Sequence, residues 1–459
     1  MENAGLIEAL RSIVGDRGLL LGDDVQQRPN ASWGKGSCPA IAIVRPASTD
    51  ELSEVVKLCH AHNQTIVPWG GLTGLVDGIT ASEQDVVISM ERMNAIEAID
   101  AEAGIMVVQS GAILENVQNA AREAGWQFCV DLGGRGSANI GGVISTNAGG
   151  NSVIRYGMMR EQVLGLEAVM ADGTVISSMN RMLKNNAGYD LKQLFIGTEG
   201  TLGLVSRAVL RMRPSTPAVQ TAFLGVDDFD SVVKVLGKLN VQLDGRLSAF
   251  EVMWNGHYRL MIEDVGGHQR FLGMDHAFYL LVESSGSHAE DAMTQFTAAL
   301  EELMEDGAIA DAVIAQSSAQ AEALWHLRDD VGSLSAVLSP VAIFDISLPI
   351  RTMLGYIDRL SVRLGQRFPE AKMSVFGHLA DGNLHLNFGP VSEEQRHEVD
   401  EIVYDELSSV NGSISAEHGI GLEKKPYLHC SRSDEEIALM KLLKSSLDPN
   451  GILNPGKVF

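Results

Sequence analysis

Cysteine is scarce. The 459 residues hold four, Cys38, Cys59, Cys129 and Cys430, and no two form a CxxC pair. This excludes a disulfide framework or a cysteine-rich zinc site and leads us to expect a reducing, cytoplasmic setting. Positive charge is also short, with 35 Lys and Arg against 59 Asp and Glu and a formal net charge of −24. Such a surface repels phosphate backbones and anionic lipid, so nucleic acid is not an expected partner. No window approaches the roughly 18 uninterrupted apolar residues of a membrane span. The opening stretch MENAGLIEALRSIVG reads as a short amphipathic helix, without the basic start, long apolar core or cleavage site of a signal peptide.

Glycine, by contrast, is abundant at 47 residues, above its usual share of about 7%. The length suggests two or three domains. From Pro39 onward, short apolar runs alternate with amphipathic stretches: AIAIVRP, a helix over Thr49 to His62, and strands at TIVPW, DVVISM and GIMVVQSG, then a helix over 113–125. VLGLEAVMADGTVIS carries the hairpin signal Asp172-Gly173. Pro214 and Pro217 punctuate the chain and mark a domain boundary. Beyond them, strands such as AFYLLVES and VAIFDISLP alternate with helices at about 228–240, 287–305, 318–335 and 350–366. That pattern is α+β, a sheet covered by helices.

The glycines cluster in VPWGGLTGLVDG (67–78), DLGGRGSANIGGVISTNAGG (131–150) and IGTEGTLGLV (196–205). Successive glycines let backbone N–H groups converge on an anion, and a pyrophosphate is a natural guest. Taken singly, each segment reads equally well as a turn. A Rossmann site needs GxGxxG opening a helix, with an acidic residue about 20 positions on. Gly134, Gly136 and Asn139 miss the third glycine, which argues against a nicotinamide dehydrogenase.

A second constellation lies downstream. In GHLADGNLHLN, His378 and His385 flank Asp381-Gly382, and a turn there would bring the two imidazoles together. Glu417, in SAEHGIG, is a candidate third ligand. Two histidines and a carboxylate suit Zn²⁺, Mn²⁺ or another first-row divalent ion; hydrogen-bonded structure is the competing reading. Arg328, in LWHLRDD, could grip a carboxylate bidentately, or form a surface salt bridge to Asp329 or Asp330.

The order VPWGGLTG, IGGVISTNAGG, RYG, GYDLKQLFIGTEGTLG, GHLADGNLHLN and SAEHGIG resembles the FAD-linked D-2-hydroxyacid dehydrogenases with a vanillyl-alcohol-oxidase type of FAD domain, and among them the D-2-hydroxyglutarate dehydrogenase branch. The resemblance runs from about residue 39 to 459. It implies an α+β fold with an FAD-binding domain over 1–215, a substrate or cap domain over 216–407, and a C-terminal segment, 408–459, that packs back on the FAD domain. For non-covalent FAD it implies a pyrophosphate loop of Pro68, Gly70, Gly71, Leu72, Thr73, Gly74 and Leu75. The other side would be lined by Leu132, Gly136, Ser137, Ile140, Gly141, Gly142, Ser145, Thr146, Asn147, Gly149, Gly150 and Tyr156. Glu199, Gly200, Gly203 and Val205 would lie near the far end, and Asn454 would reach the flavin. Leu72 stands where relatives often carry a polar residue, and no histidine lies in this loop to form a covalent flavin link.

The resemblance also implies that His378, His385 and Glu417 ligate a divalent metal such as zinc, and that Arg328 and Asn387 contact substrate. His418 would be the catalytic base, since an imidazole with a reference pKa of about 6.5 can accept a hydroxyl proton; orienting Glu417 is its other reading. The implied reaction oxidises a D-2-hydroxy acid, D-2-hydroxyglutarate first, by hydride transfer to flavin N5. Gly332 and Ile343 stand where the 2-hydroxyglutarate enzymes carry a threonine and a lysine, and Ala380 replaces a common glycine. D-malate, D-lactate or glycolate, or a phosphorylated hydroxy acid is the alternative substrate. A non-catalytic flavin subunit of a glycolate-oxidase-like complex is the alternative role. An electron-transfer flavoprotein as acceptor and a homodimer complete the expectations.

Overall fold

The computed structural model describes residues 4–459, and the chain divides into two compact units. The first holds the chain up to Gly150, Gly157–Ser215 and Glu417–Phe459; the second holds Asn151–Tyr156 and Thr216–Ala416. The main crossing, between Ser215 and Thr216, falls between Pro214 and Pro217. The return falls at Glu417 rather than at 408. The physical reason is that Ser347 and Ser413 exchange backbone hydrogen bonds at 3.0 and 2.7 Å, tying the turn after the helix Glu393–Ser408 to the second unit's sheet. Asn151–Tyr156 joins the second unit because Arg155 Nη1 donates to the Ser285 carbonyl at 2.8 Å.

In the first unit, a four-stranded sheet runs Leu19–Leu20, Ala42–Val44, Val86–Ser89, Ile66–Trp69, the last three parallel. Parallel neighbours require a crossover, which the helix Thr49–Ala61 supplies. Its N-cap Ser48 accepts from the Glu51 N–H at 3.1 Å, while Glu51 accepts from the Ala47 N–H at 2.8 Å. Leu52, Val55, Val56 and Cys59, at helical spacing, are fully buried against Val44, Ile66 and Ile88. The C-terminal segment extends the same sheet: Ile66 N donates to Ile452 O at 2.7 Å, and Asn454 N donates to Ile66 O at 2.8 Å.

A second sheet in this unit is antiparallel, in the order Ile96–Asp100, Ile105–Gln109, Leu204–Arg211, Val163–Val169, Val175–Ser178. The expected hairpin turns at Gly173, whose φ of 82° is left-handed. The helices Leu114–Glu123 and Ile140–Thr146 bury Leu114, Val117, Ile140, Val143 and Ile144 in the core beside this sheet.

The second unit is built on one seven-stranded antiparallel sheet. Its order is Asp311–Ile314, Ala218–Val226, Phe278–Gly286, Leu247–Trp254, Lys372–His378, Asn383–Gly389, Ala342–Ser347. The helices Phe229–Gln242 and Ala289–Glu305 pack on its strands. A core of Phe223, Met253, Tyr279, Leu281 and Phe376 is covered by Leu324 and Leu327 of the helix Ser318–Asp329. The single helix expected over 318–335 is two, Ser318–Asp329 and Val331–Val337. Asp330 (φ −77°, ψ 57°) breaks it and caps the second, accepting from the Ser333 N–H at 3.2 Å.

Candidate functional site

In the first unit the glycine segments converge. Gly70, Gly71, Leu72 and Ser137 line a cavity of about 430 Å³ together with Trp69, Ile113 and Asn139. Gly71 is sterically obligatory, because a Cβ there would sit 1.9 Å from the Ser137 carbonyl oxygen. A Cβ at Gly70 would stand 3.7 Å from the Gly142 backbone, and one at Gly134 would stand 3.3 Å from Thr73. Gly74 and Gly142 have nothing within 4 Å where a side chain would project. The result is backbone brought close on one side and open space on the other, the form of a site that a pyrophosphate can approach. Leu72 adopts the left-handed region (φ 57°) and packs on an apolar cluster with Trp69 and Ile43. An apolar side chain at this position thus turns inward and leaves its backbone in the cradle.

A second knot gathers Glu199, Asn454 and 417–421. Half-buried Glu199 accepts from the N–H groups of Ile420 at 2.7 Å and Gly421 at 2.9 Å. Burial pushes its carboxyl up, against the opposing pull of those two N–H groups and of Lys424. Asn454 donates to the Glu199 carbonyl at 2.7 Å, while its own Oδ1, buried, has no partner. Glu199 N–H reaches the Ser145 carbonyl at 2.8 Å, and Glu417 Oε1 accepts from the Gly150 N–H at 3.0 Å. His418 follows, partly buried.

Other sequence-predicted positions have local roles. Thr146 bonds the Gly142 carbonyl at 3.1 Å, and Asn147 closes that helix in a left-handed conformation and accepts from the Arg160 N–H. Gly150 and Gly200 sit at positive φ against Asp131 and Pro68, and Gly203 admits the Phe195 ring. Ile140 and Val205 are core residues, so only their backbones could meet a ligand. Leu132 packs beside that core, and Gly136 lies by Glu115. Tyr156 belongs to the second unit, with Arg155 over its ring at 5.0 Å.

In the second unit, strand alternation assembles one polar face. The pairings Glu251 with His378, Phe376 with His385, His385 with Asp345, and Asn387 with Ser374 and Ile343 put all these side chains on one side of the sheet. The turn at Asp381-Gly382, with Gly382 at φ 84°, brings His378 and His385 together with ring centroids 5.3 Å apart. His378 Nδ1 lies 2.6 Å from Glu251 Oε1. This bond turns Nδ1 toward the carboxylate and leaves Nε2 facing Arg328 Nη2. Asp345 Oδ1 lies 3.7 Å from His385 Nδ1 and accepts from Asn383 at 2.7 Å. Asn387 is 1% exposed and neither its Oδ1 nor its Nδ2 has a partner; a buried amide so placed is costly unless a ligand completes it.

Arg328 is buried, not part of a surface pair. Its Nε and Nη2 bond Glu251 Oε2 at 2.8 and 2.7 Å, Nη1 reaches Asp329 at 3.2 Å, and Nη2 lies 3.3 Å from His378 Nε2. One edge of the guanidinium is therefore spent on Glu251, while Nη1 and Nη2 also face Asp329 and His378. Burial alone would raise the Glu251 carboxyl, but the charges of Arg328 and His378 and their hydrogen bonds hold it down at about 2. Glu251 was not visible as a functional residue; its signal is a lone charge in the apolar strand LSAFEVMW. His257 was also missed. Burial first, then the charges of Arg328 and His268, hold its imidazole down at about 3, and its Nδ1 contacts Ser374 Oγ at 2.8 Å. Gly332 is exposed, whereas Ile343 stands beside Asn387.

Comparison with known proteins decides the family. Residues 40–178 match the FAD binding domain and residues 216–458 match the C-terminal domain of FAD linked oxidases. D-2-hydroxyglutarate dehydrogenase from Xanthomonas citri pv. viticola is 40% identical over 91% of this chain and 89% of its own. The mitochondrial D-2-hydroxyglutarate dehydrogenase of Arabidopsis thaliana is 36% identical over 98% of this chain and 81% of its own. The chain belongs to the FAD-linked D-2-hydroxyglutarate dehydrogenase family. As such it is an FAD-dependent D-2-hydroxyacid dehydrogenase.

The expected α+β architecture holds for this D-2-hydroxyacid dehydrogenase as well. Alkyldihydroxyacetonephosphate synthase superposes with a TM-score of 0.77 at 18% identity, covering 99% of this chain and 84% of that one. p-Cresol methylhydroxylase superposes at 0.76 and 15% identity, covering 100% and 96%. At such identities the likeness concerns fold alone, and the fold is of the vanillyl-alcohol-oxidase type. Among the described residues, no helix is long and apolar enough to cross a membrane.

Proposed function

We propose that this dehydrogenase oxidises a D-2-hydroxy acid, with D-2-hydroxyglutarate as the first candidate, to the 2-oxo acid, using non-covalent FAD and a divalent metal, zinc first. The carrying observation is the polar sheet face that holds His378, His385 and the partnerless amide of Asn387, with Arg328 reaching His378 from the helix Ser318–Asp329. FAD would take the hydride from C2 at N5, and the metal would polarise the substrate hydroxyl and carboxylate. His378 and His385 suit the metal because carboxylates stand behind both, Glu251 directly and Asp345 at longer range. Glu417 is the proposed carboxylate ligand and His418 the base that accepts the hydroxyl proton. Arg328 would pair with the substrate carboxylate and Asn387 would bond its oxygens.

The proposed flavin contacts are Pro68 and Gly70 to Leu75, then Leu132, Gly136, Ser137, Ile140, Gly141, Gly142, Ser145, Thr146, Asn147, Gly149, Gly150 and Tyr156, and finally Glu199, Gly200, Gly203, Val205 and Asn454. The absence of histidine from 67–78 supports a non-covalent attachment there. An electron-transfer flavoprotein as acceptor and a homodimer are carried over from the family resemblance. A cytoplasmic setting is supported by four cysteines that form no disulfide; the Arabidopsis relative is named mitochondrial.

A specific observation favours a second reading of the substrate. Ile343 presents an apolar group beside Asn387, which suits a shorter or uncharged tail such as that of D-lactate, or the shorter diacid D-malate. Anaerobic bleaching of the flavin by a panel of D-2-hydroxy acids tests both. Fastest bleaching by D-2-hydroxyglutarate supports the first substrate, fastest bleaching by D-lactate or D-malate supports the second, and persistent oxidised flavin across the panel contradicts the proposal.

A further inference from the structure

Outside that face, the second unit holds another convergence of ligand-type side chains. His268 comes from the connection over 266–277, His326 from the last turn of the helix Ser318–Asp329, and Asp330 from the break after it. One ligand atom from each lies within 4.8 Å of the other two. His268 Nε2 and Asp330 Oδ2 are 3.2 Å apart, and the two imidazole centroids are 4.9 Å apart. Around an ion with bonds of about 2.0–2.1 Å, tetrahedral neighbours stand about 3.3 Å apart, so one edge of the polyhedron is already formed.

The supports are unequal in a way that favours binding. The His268 side chain is 4% exposed and held by its surroundings. Asp330 is oriented by its capping bond from Ser333 N–H at 3.2 Å. His326 stands four residues before Asp330, and Asp330 N–H bonds the His326 carbonyl at 3.1 Å, so one helical turn sets both side chains on one face. His326 is exposed, which gives an ion a way in from solvent.

We propose that His268, His326 and Asp330 form a second divalent transition-metal site, with Zn²⁺ as the natural ion and a water completing the tetrahedron. The ion would clip 266–277 to the junction of two helices. Arg328 lies between His326 and Asp330 in that junction, so the clip would also stiffen the turn that carries it.

The test uses the full-length flavoprotein, stripped with a chelator, dialysed against micromolar Zn²⁺ and then metal-free buffer, and counted for zinc per chain. His326→Ala and Asp330→Asn are each expected to retain one equivalent less than the parent and to lose part of the zinc-dependent rise in Tm. Asparagine keeps the cap, so the second variant separates ligand loss from misfolding. Zinc content and Tm response equal to the parent in both variants would overturn the site, as would zinc that the parent itself loses in dialysis. His385→Ala serves as a separate control. If the proposed active-site metal is wrong, His385→Ala keeps the parent's count while His326→Ala still falls by one.

Discussion

The candidate sites in the two units are built by opposite means. The proposed flavin cradle is made of backbone: Gly71 pressed on Ser137, Gly70 near Gly142, and open space beyond Gly74. The proposed substrate face is made of ionisable side chains, Glu251, Arg328 and His378 buried and His385 half-buried, bonded or stacked on one another. A backbone cradle fails when a side chain is added; a charged network fails when one is removed. The first should respond to bulk and be indifferent to charge, and the second the reverse.

The largest expected break is Gly71→Val. A Cβ 1.9 Å from a carbonyl oxygen cannot be accommodated without moving the Ser137 backbone, so the purified variant should be colourless, with flavin content falling at least about tenfold. Full flavin occupancy would show that the loop does not form the cradle. Next comes His418→Ala, which should keep FAD and slow single-turnover reduction by about 10²–10⁴-fold. A change within about threefold would reduce His418 to a support for Glu417.

Glu251 sharpens the contrast further. Glu251→Ala leaves the Arg328 guanidinium without its buried partner and should cost about 3–5 kcal/mol in urea unfolding. Glu251→Gln keeps the shape, and should instead weaken metal retention about 10–100-fold at unchanged flavin content. Equal metal affinity in the glutamine variant would separate Glu251 from the metal. The smallest effect belongs to the fold alone: Ser48→Ala removes the cap of the helix Thr49–Ala61, and should lower stability by about 1 kcal/mol with no change in flavin reduction.

The same contrast explains what was legible in the sequence. Backbone sites advertise themselves through local composition, so VPWGGLTG and IGGVISTNAGG pointed to a cradle before any contact was known. The hairpins were legible for the same reason, Asp172-Gly173 and Asp381-Gly382 being local turn signals. Side-chain networks are distributed along the chain. Glu251 lies 77 positions from Arg328 and 127 from His378, a separation that no motif spacing encodes. The break at Asp330 was hidden differently: apolar periodicity continues through it, and a capping aspartate outweighs that pattern. Ile140 and Val205 entered the cradle through the family resemblance, although their side chains serve the core.

One measurement addresses the contrast and the chemistry together, namely the rate of anaerobic flavin reduction by the best D-2-hydroxy acid before chelation, after it, and after zinc is restored. The account predicts that the chelated enzyme keeps its FAD but is no longer reduced, and that zinc returns the rate. Reduction of the chelated, metal-free enzyme at the original rate would contradict it.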